Sequence, residues 1–226
     1  MPLVLVTPPT AEPVSRTEAK EEMRIDADFT DHDALIDSYI EAGRRHAETV
    51  CRRAFVTQQW RLTADRFPSP MSGRLTEYWL GQSWGLAGMG GVSQFPPTDR
   101  TGYGFQLPFS PLATVDSIKY VDPTGTLQTM NAADYKVDAD SEPPRILPGF
   151  GKAWPTTRQE INAVQVLFTV GYGDPTKVPA NIKTAILMYC KAHYEATFDD
   201  AQSMEYERRM KAVDIILTPF RVMAFV

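Results

Sequence analysis

Gly81-Gln82-Ser83-Trp84-Gly85 has the G-x-S-x-G spacing of a nucleophile elbow, a pattern that could carry acyl-transfer chemistry. That chemistry needs a strand feeding a sharp turn into a helix, with an Asp and then a His later in the chain. Here Leu86-Ala87-Gly88-Met89-Gly90-Gly91 follows, a poor helix start, and the only later histidine is His193, on an apolar helical stripe. A flexible glycine loop accounts for the match, so a hydrolase using Ser83 stands as the alternative reading. Cys190-x-x-His193 on one helix, with His46 and Cys51 on another, could bring four soft ligands together. Zinc sites have closer paired spacings, and buried thiols with a satisfied core histidine fit these positions better. There is no phosphate-cradling G-x-x-x-x-G-K-[ST] run, and Gly102-Tyr103-Gly104 is not a dinucleotide fingerprint. Carboxylates are dispersed on helix faces. No catalytic residue or metal ligand is assigned, and nothing in the sequence needs a cofactor.

The elements around these residues are read from spacing. Ser15-Arg16-Thr17-Glu18 fits a capping box opening a short helix to about Ile25. Thr30 or Asp31 starts a longer helix, with Asp31 and Asp33 near its positive end. Ile36, Ile40, Gly43, Ala47, Val50 and Ala54 keep helical spacing, and the basic pair Arg52-Arg53 suits the negative end. From Phe55 to Tyr172 the period changes to two. Val56, Gln58, Trp60 and Leu62 alternate with Thr57, Gln59, Arg61 and Thr63 as in a half-buried strand. Val115 to Val121, a turn at Asp122-Pro123-Thr124-Gly125, and Thr126 to Thr129 read as strand, turn, strand. Ala163 to Val170 is the strongest later strand. Helical spacing returns after Pro179, with Ile182, Ile186, Tyr189 and His193 on one stripe. A last helix follows Ser203, faces Tyr206, Met210, Val213 and Leu217 inward, and stops at Pro219.

These elements predict an α+β fold. Residues 15–54 and 179–217 form a helical bundle, and 55–172 form an inserted, mostly antiparallel β subdomain. Residues 1–14 are an extended N-terminal segment and 218–226 a C-terminal tail. Within the β subdomain, 67–110 is rich in Gly, Ser and Pro and carries Trp79, Trp84 and Phe95. A connection that long is unusual in a compact domain, which points to a projecting hairpin or a partner-facing loop.

Bulk properties narrow the function classes. At 226 residues the chain suits one large domain or two small ones, and its 43% hydrophobic and 23% charged content is ordinary for a soluble protein. A net charge of -5 argues against nucleic acid held on a basic surface, so a nucleic-acid-binding module stands only as a second alternative reading. Duplex DNA could still pass an acidic wall without being gripped. Cys51 and Cys190 make no disulfide framework, and Met1 to Val6 lacks the basic flank of a signal peptide. No run approaches the ~20 apolar residues of a membrane span, so the chain is expected to be made and kept in a cytoplasm.

The last feature is the tail Pro219-Phe220-Arg221-Val222-Met223-Ala224-Phe225-Val226, mostly apolar with one charge. It either folds back on its own core or is handed to a partner, because an exposed apolar strip needs covering.

An ordered series of short motifs carries a family resemblance. Thr7-Pro8-Pro9, Glu12-Pro13-Val14, Glu18-Ala19-Lys20, Asp33-Ala34-Leu35-Ile36 and Thr57-Gln58-Gln59-Trp60-Arg61-Leu62 come first. Pro111-Leu112, Val115-Asp116-Ser117-Ile118, Tyr135-Lys136-Val137 and Phe168-Thr169-Val170-Gly171-Tyr172-Gly173-Asp174 follow. In this order they resemble the head–tail connector (adaptor) proteins of tailed bacteriophages and related gene transfer agents. The resemblance implies a structural role in the neck of the virion. There a ring of copies, a dodecamer in the family, sits on the portal protein and meets a tail-side neck or stopper protein. It also implies that DNA passes through the ring without sequence-specific binding, and that the C-terminal tail, residues 219–226, docks into the portal's clip region. The long 67–110 insertion departs from the family pattern.

Overall fold

The computed structural model describes residues 2–68, 104–198 and 203–222. Its helices are α1 (Arg16–Met23), α2 (Asp33–Cys51), α3 (Ala180–Phe198) and α4 (Ser203–Leu217). Ser15 caps α1 as its sequence predicts: its hydroxyl accepts from the Glu18 amide, and its own amide donates to the Glu18 carboxylate at 2.6 Å. α2 starts at Asp33, later than the Thr30 or Asp31 expected, and without a side-chain cap. The cause is Lys20, which is buried and donates to the carbonyls of Ala27 (3.2 Å) and Phe29 (2.8 Å), holding that segment as a loop. The same ammonium lies 2.6 Å from the Asp33 carboxylate.

α1 and α2 pack on α3, and α4 packs on α3 and α2. Ile36, Ile40, Ala47 and Cys51 of α2 meet Ile182, Ala185, Ile186 and Cys190 of α3 in one apolar core. Gly43 permits the close approach: a Cβ there would sit 3.0 Å from the Tyr189 ring. Among the described residues no helix is long and apolar enough to cross a membrane.

The strands are β1 (Leu3–Thr7), β2 (Gln58–Ala64), β3 (Phe105–Gln106), β4 (Leu112–Val121), β5 (Leu127–Thr129), β6 (Tyr135–Asp138), β7 (Arg145–Pro148) and β8 (Val164–Val170). Five make an antiparallel sheet in the order β1-β2-β8-β4-β5, and three make a second sheet in the order β3-β7-β6. Period-two burial does what the sequence pattern predicts: Val164, Val166, Phe168 and Val170 are buried and the residues between them are half-buried. Leu62, Ile118, Val166 and Phe168 of the larger sheet share a second core with Phe105 and Ile146 of the smaller one. The β4–β5 hairpin turns where Asp122-Pro123-Thr124-Gly125 predicts, with the Gly125 amide donating to the Asp122 carbonyl and Gly125 at φ 91°.

Two expectations change. The apolar start of the segment read as merely extended is a strand, β1, paired antiparallel with β2 at the sheet's edge. The predicted 67–110 loop is too wide at both ends: Phe67, Phe105, Leu107 and Ser110 are buried. Phe105, Leu107 and Phe109 repeat with period two, a strand signal that the Gly/Ser/Pro-rich composition of the neighbouring residues masks.

Candidate functional site

The described part of the C-terminal tail is held against the end of α2. After α4 a short turn at Thr218–Phe220 brings the chain back across the C-terminal end of α2. The Arg53 guanidinium donates to the Phe220 carbonyl at 2.6 Å and to Glu142 at 2.5 Å. The Val222 amide donates to the Cys51 carbonyl at 2.9 Å, satisfying one of the carbonyls that a helix end leaves open. Val222 is buried and Phe220 packs on the helical core, whereas Pro219 and Arg221 are exposed. Part of the predicted tail is therefore seated on its own subunit. Met223, Ala224, Phe225 and Val226 lie outside the described residues, as do Trp79, Ser83, Trp84 and Phe95.

A polar hub connects the N-terminal arm, α2 and the sheet. Arg44 is buried and donates to Glu12 at 2.7 Å and Glu48 at 2.9 Å. Glu48 in turn accepts from the Phe55 amide (3.0 Å) and the Gln58 amide group (2.8 Å). Burial pushes the Glu48 carboxyl up, against the pull of the Phe55 hydrogen bond and of Arg44. The hub's work is to fix where the helix hands over to β2.

The soft side chains considered as metal ligands are each otherwise engaged. Cys51 and Cys190 are buried, and burial pushes their thiols up to about 11 and about 12, so both stay protonated. His46 Nε2 lies 3.1 Å from the Asp214 carboxylate, and His193 Nε2 lies 3.1 Å from the Tyr206 hydroxyl. No group of three or more His, Cys, Asp or Glu gathers as a metal site among the described residues.

Sequence reasoning missed one exposed feature, the outer edge of the larger sheet. Val4, Leu5 and Val6 of β1 are 43%, 39% and 44% exposed. Leu127 of β5, on the opposite edge, is 53% exposed. The available signal was the apolar run Leu3-Val4-Leu5-Val6 bounded by Pro2 and Pro8, since prolines commonly bracket an edge strand.

No protein-family model matches the chain, and no curated protein matches its sequence. Its fold is similar to that of solved chains from gene transfer agent particles. One, from the neck of an empty particle computed with C6 symmetry, has a TM-score of 0.71 and 22% identity, covering 100% of this chain and 98% of that one. Another, from the virion of a native particle, has a TM-score of 0.71 and 21% identity over the same shares. A third, from the neck of a native particle computed with C12 symmetry, has a TM-score of 0.64, 23% identity and again 100% and 98% coverage. At these identities the likeness establishes the fold, over the whole chain and nearly all of each neighbour.

Proposed function

We propose that this protein is a structural head–tail connector, an adaptor that forms a ring on the portal and joins a DNA-filled head to tail-side neck components. The observation that carries the reading is the full-length fold likeness to chains from the necks and virion of gene transfer agent particles. The ordered motifs from Thr7 to Asp174 support it from the side of the sequence, because in their order they resemble those of the connector family. In this reading the protein works by the shapes it presents and not by turnover. Its partners are the portal, a tail-side neck protein and further copies of itself, and DNA passes without being gripped.

The seating of Phe220 and Val222 supports a division of the tail into an anchor and a portal-binding end. In this reading Phe220 and Val222 anchor the chain beside the end of α2, Arg221 is exposed, and residues 223–226 are the segment offered to the portal. Weak attachment by each copy suffices, since linked contacts raise one another's effective concentration.

The experiment is electron microscopy and co-sedimentation of the chain with its portal ring. The intact chain should cap the portal. If residues 223–226 serve the portal and not the subunit's own core, a chain lacking them should melt within about 2 °C of the intact one, since surface changes are worth at most about 0.5 kcal/mol, yet fail to attach. Attachment of the truncated chain would refute the tail's assignment, and failure of the intact chain to bind would refute the function.

A further inference from the structure

We infer that the two open edges of the five-stranded sheet, β1 and β5, pair with each other between neighbouring copies of this chain, so that the sheet continues around a ring. The inference rests on the ring reading above and adds the surface that makes the ring.

Native edges are normally guarded by charge, by a bulge or by a covering element. β1 has no charged residue in Leu3-Val4-Leu5-Val6-Thr7, and three consecutive apolar side chains there are exposed; its one irregularity falls between Leu5 and Thr7, beyond the regular stretch Leu3 to Leu5. β5 is exposed at all of its residues. These edges are different surfaces at opposite ends of one sheet, as a head-to-tail contact needs; a two-fold contact would need one surface matched to itself.

Strand direction fits as well. Every neighbouring pair in β1-β2-β8-β4-β5 is antiparallel, so the first and fifth strands run the same way. In a ring every copy is related to the next by rotation about one axis, so β1 of one copy can meet β5 of another with the same polarity, as a parallel pair.

The hydrogen-bond alternation then selects a register. The Thr63 amide donates to the Pro2 carbonyl, which makes Pro2–Thr63 a hydrogen-bonded pair. By alternation the main-chain groups of Leu3 and Leu5 point away from β2. On the other edge the Asp122 amide donates to Thr126 and the Met130 amide to Ile118, so Leu127 and Thr129 point away from β4. In a parallel ladder these groups interlock. The Leu127 amide donates to Leu3, the Leu5 amide donates to Leu127, and the Thr129 amide donates to Leu5. That register sets Val4 opposite Leu127. Both lie on the same face of the sheet, since Val4 aligns with Arg61, Leu167 and Ser117 across the strands and Leu127 aligns with Val121. Two of the molecule's exposed apolar side chains thereby cover each other.

The test is cross-linking on assembled portal rings. A full-length Val4→Cys/Leu127→Cys chain treated with a short thiol-to-thiol cross-linker should give a ladder of multimers, while each single variant stays monomeric on a denaturing gel. Cys51 and Cys190 are buried and serve as an internal background. Leu5→Pro is the second variant: it deletes an outward amide while leaving the pairing with β2, and should reduce ring occupancy at least tenfold. Rings that assemble normally with Leu5→Pro, or that yield no ladder from the double variant, would overturn the edge pairing while leaving the connector reading intact. A Leu5 amide already protected from exchange in the free subunit would also overturn it, because residues 69–103 or another part of the same chain would then hold the edge. Absence of any ring would remove both.

Discussion

Arg44 shows how much of this fold hangs on one side chain with no signature in the primary sequence. Its partner Glu12 lies 32 residues away and Glu48 lies one helical turn on, so only the folded chain brings the three together. Breaking a buried pair by removing one partner costs about 3–5 kcal/mol, because the other charge is left uncompensated. Arg44→Ala should lose about that much at pH 7.5, measured by denaturant unfolding. The loss should shrink toward pH 5. Burial already raises the Glu48 carboxyl, so its stabilising protonated form is fully present below the unfolded value and is lost as pH rises through the folded one. Without Arg44 that folded value climbs further, and mild acid relieves the penalty. A loss that grows on acidification would contradict the hub. Glu18, Asp33 and Asp138 act in the opposite sense. Hydrogen bonds from the Ser15 amide, Lys20 and Ser141 hold them low, so their contribution is present above the usual carboxylate range and fades as pH falls through the lowered values. Gly171 is a residue whose role is partly legible, since Gly171-Tyr172-Gly173 stands in the motif series. Its φ is 121°, and a Cβ would lie 2.5 Å from the Val56 carbonyl oxygen, where β8 returns against the start of β2. Gly171→Ala should therefore destabilise by at least about 2 kcal/mol, a strain cost that chemical denaturation reads directly. A neutral outcome would mean that this crossing can relax.

At the scale of elements, α4 is held differently from the other helices. Val213 and Leu217 are its buried apolar anchors, with Ile216 partly buried beside them, and polar and aromatic contacts add to the attachment. The His193 ring packs 4.2 Å from Tyr189, 5.3 Å from Tyr206 and 5.8 Å from Tyr39, with His46 and Asp214 beyond. Burial, and then the neighbouring His46, lower the His193 pKa. A lowered base stabilises the fold above its unfolded value of about 6.5 and gives that up as pH falls through the folded value. Hydrogen exchange of α4 amides, corrected for intrinsic rates, should therefore accelerate between pH 7 and pH 5, and His193→Phe should flatten the trend. An unchanged trend in that variant would assign the effect to other groups. The sequence shows α4 from Ser203 to Leu217 and the inward positions Val213 and Leu217, because helical period and a terminal proline are local signals. α1, α2, α3, β2, β8 and the β4–β5 turn were legible for the same reason. β1 was not, because a short apolar run between prolines has no alternation. The small sheet of β3, β6 and β7 has strands of two to four residues, too short for a period to declare itself. The tail exit was half legible: its apolar character is in the sequence, whereas the seat for Phe220 and Val222 needs Arg53 and Cys51 to arrive from the far end of α2.

For the molecule as a whole, charge decides how a ring of such subunits would treat DNA. The chain carries 28 acidic against 23 basic residues, a net of -5, and many of its cations are committed within the fold. Arg16 is paired with Asp33 and Asp37, Arg44 with Glu12 and Glu48, Arg53 with Glu142, Arg145 with Asp138, and Arg209 with Glu195 and Glu205. A guanidinium already opposite a carboxylate gains little by meeting a phosphate. Binding to a duplex requires several cations to neutralise phosphates together and release their counterions, which makes retention fall steeply as salt rises. The chain as a whole has no surplus of cations, and in the proposed ring the negative excess would be multiplied. Portal-mounted rings should therefore retain linear duplex DNA no better at about 50 mM salt than at about 200 mM, a range over which a protein making several phosphate contacts loses orders of magnitude in affinity. Filter binding or sedimentation of rings with labelled duplex measures this directly. Steep salt-dependent retention would assign the ring a grip on DNA, and the passive passage proposed for it would have to be abandoned. Weak, flat retention is what a channel needs if packaged DNA is to leave through it, because each phosphate contact held on the wall is one the moving duplex must break.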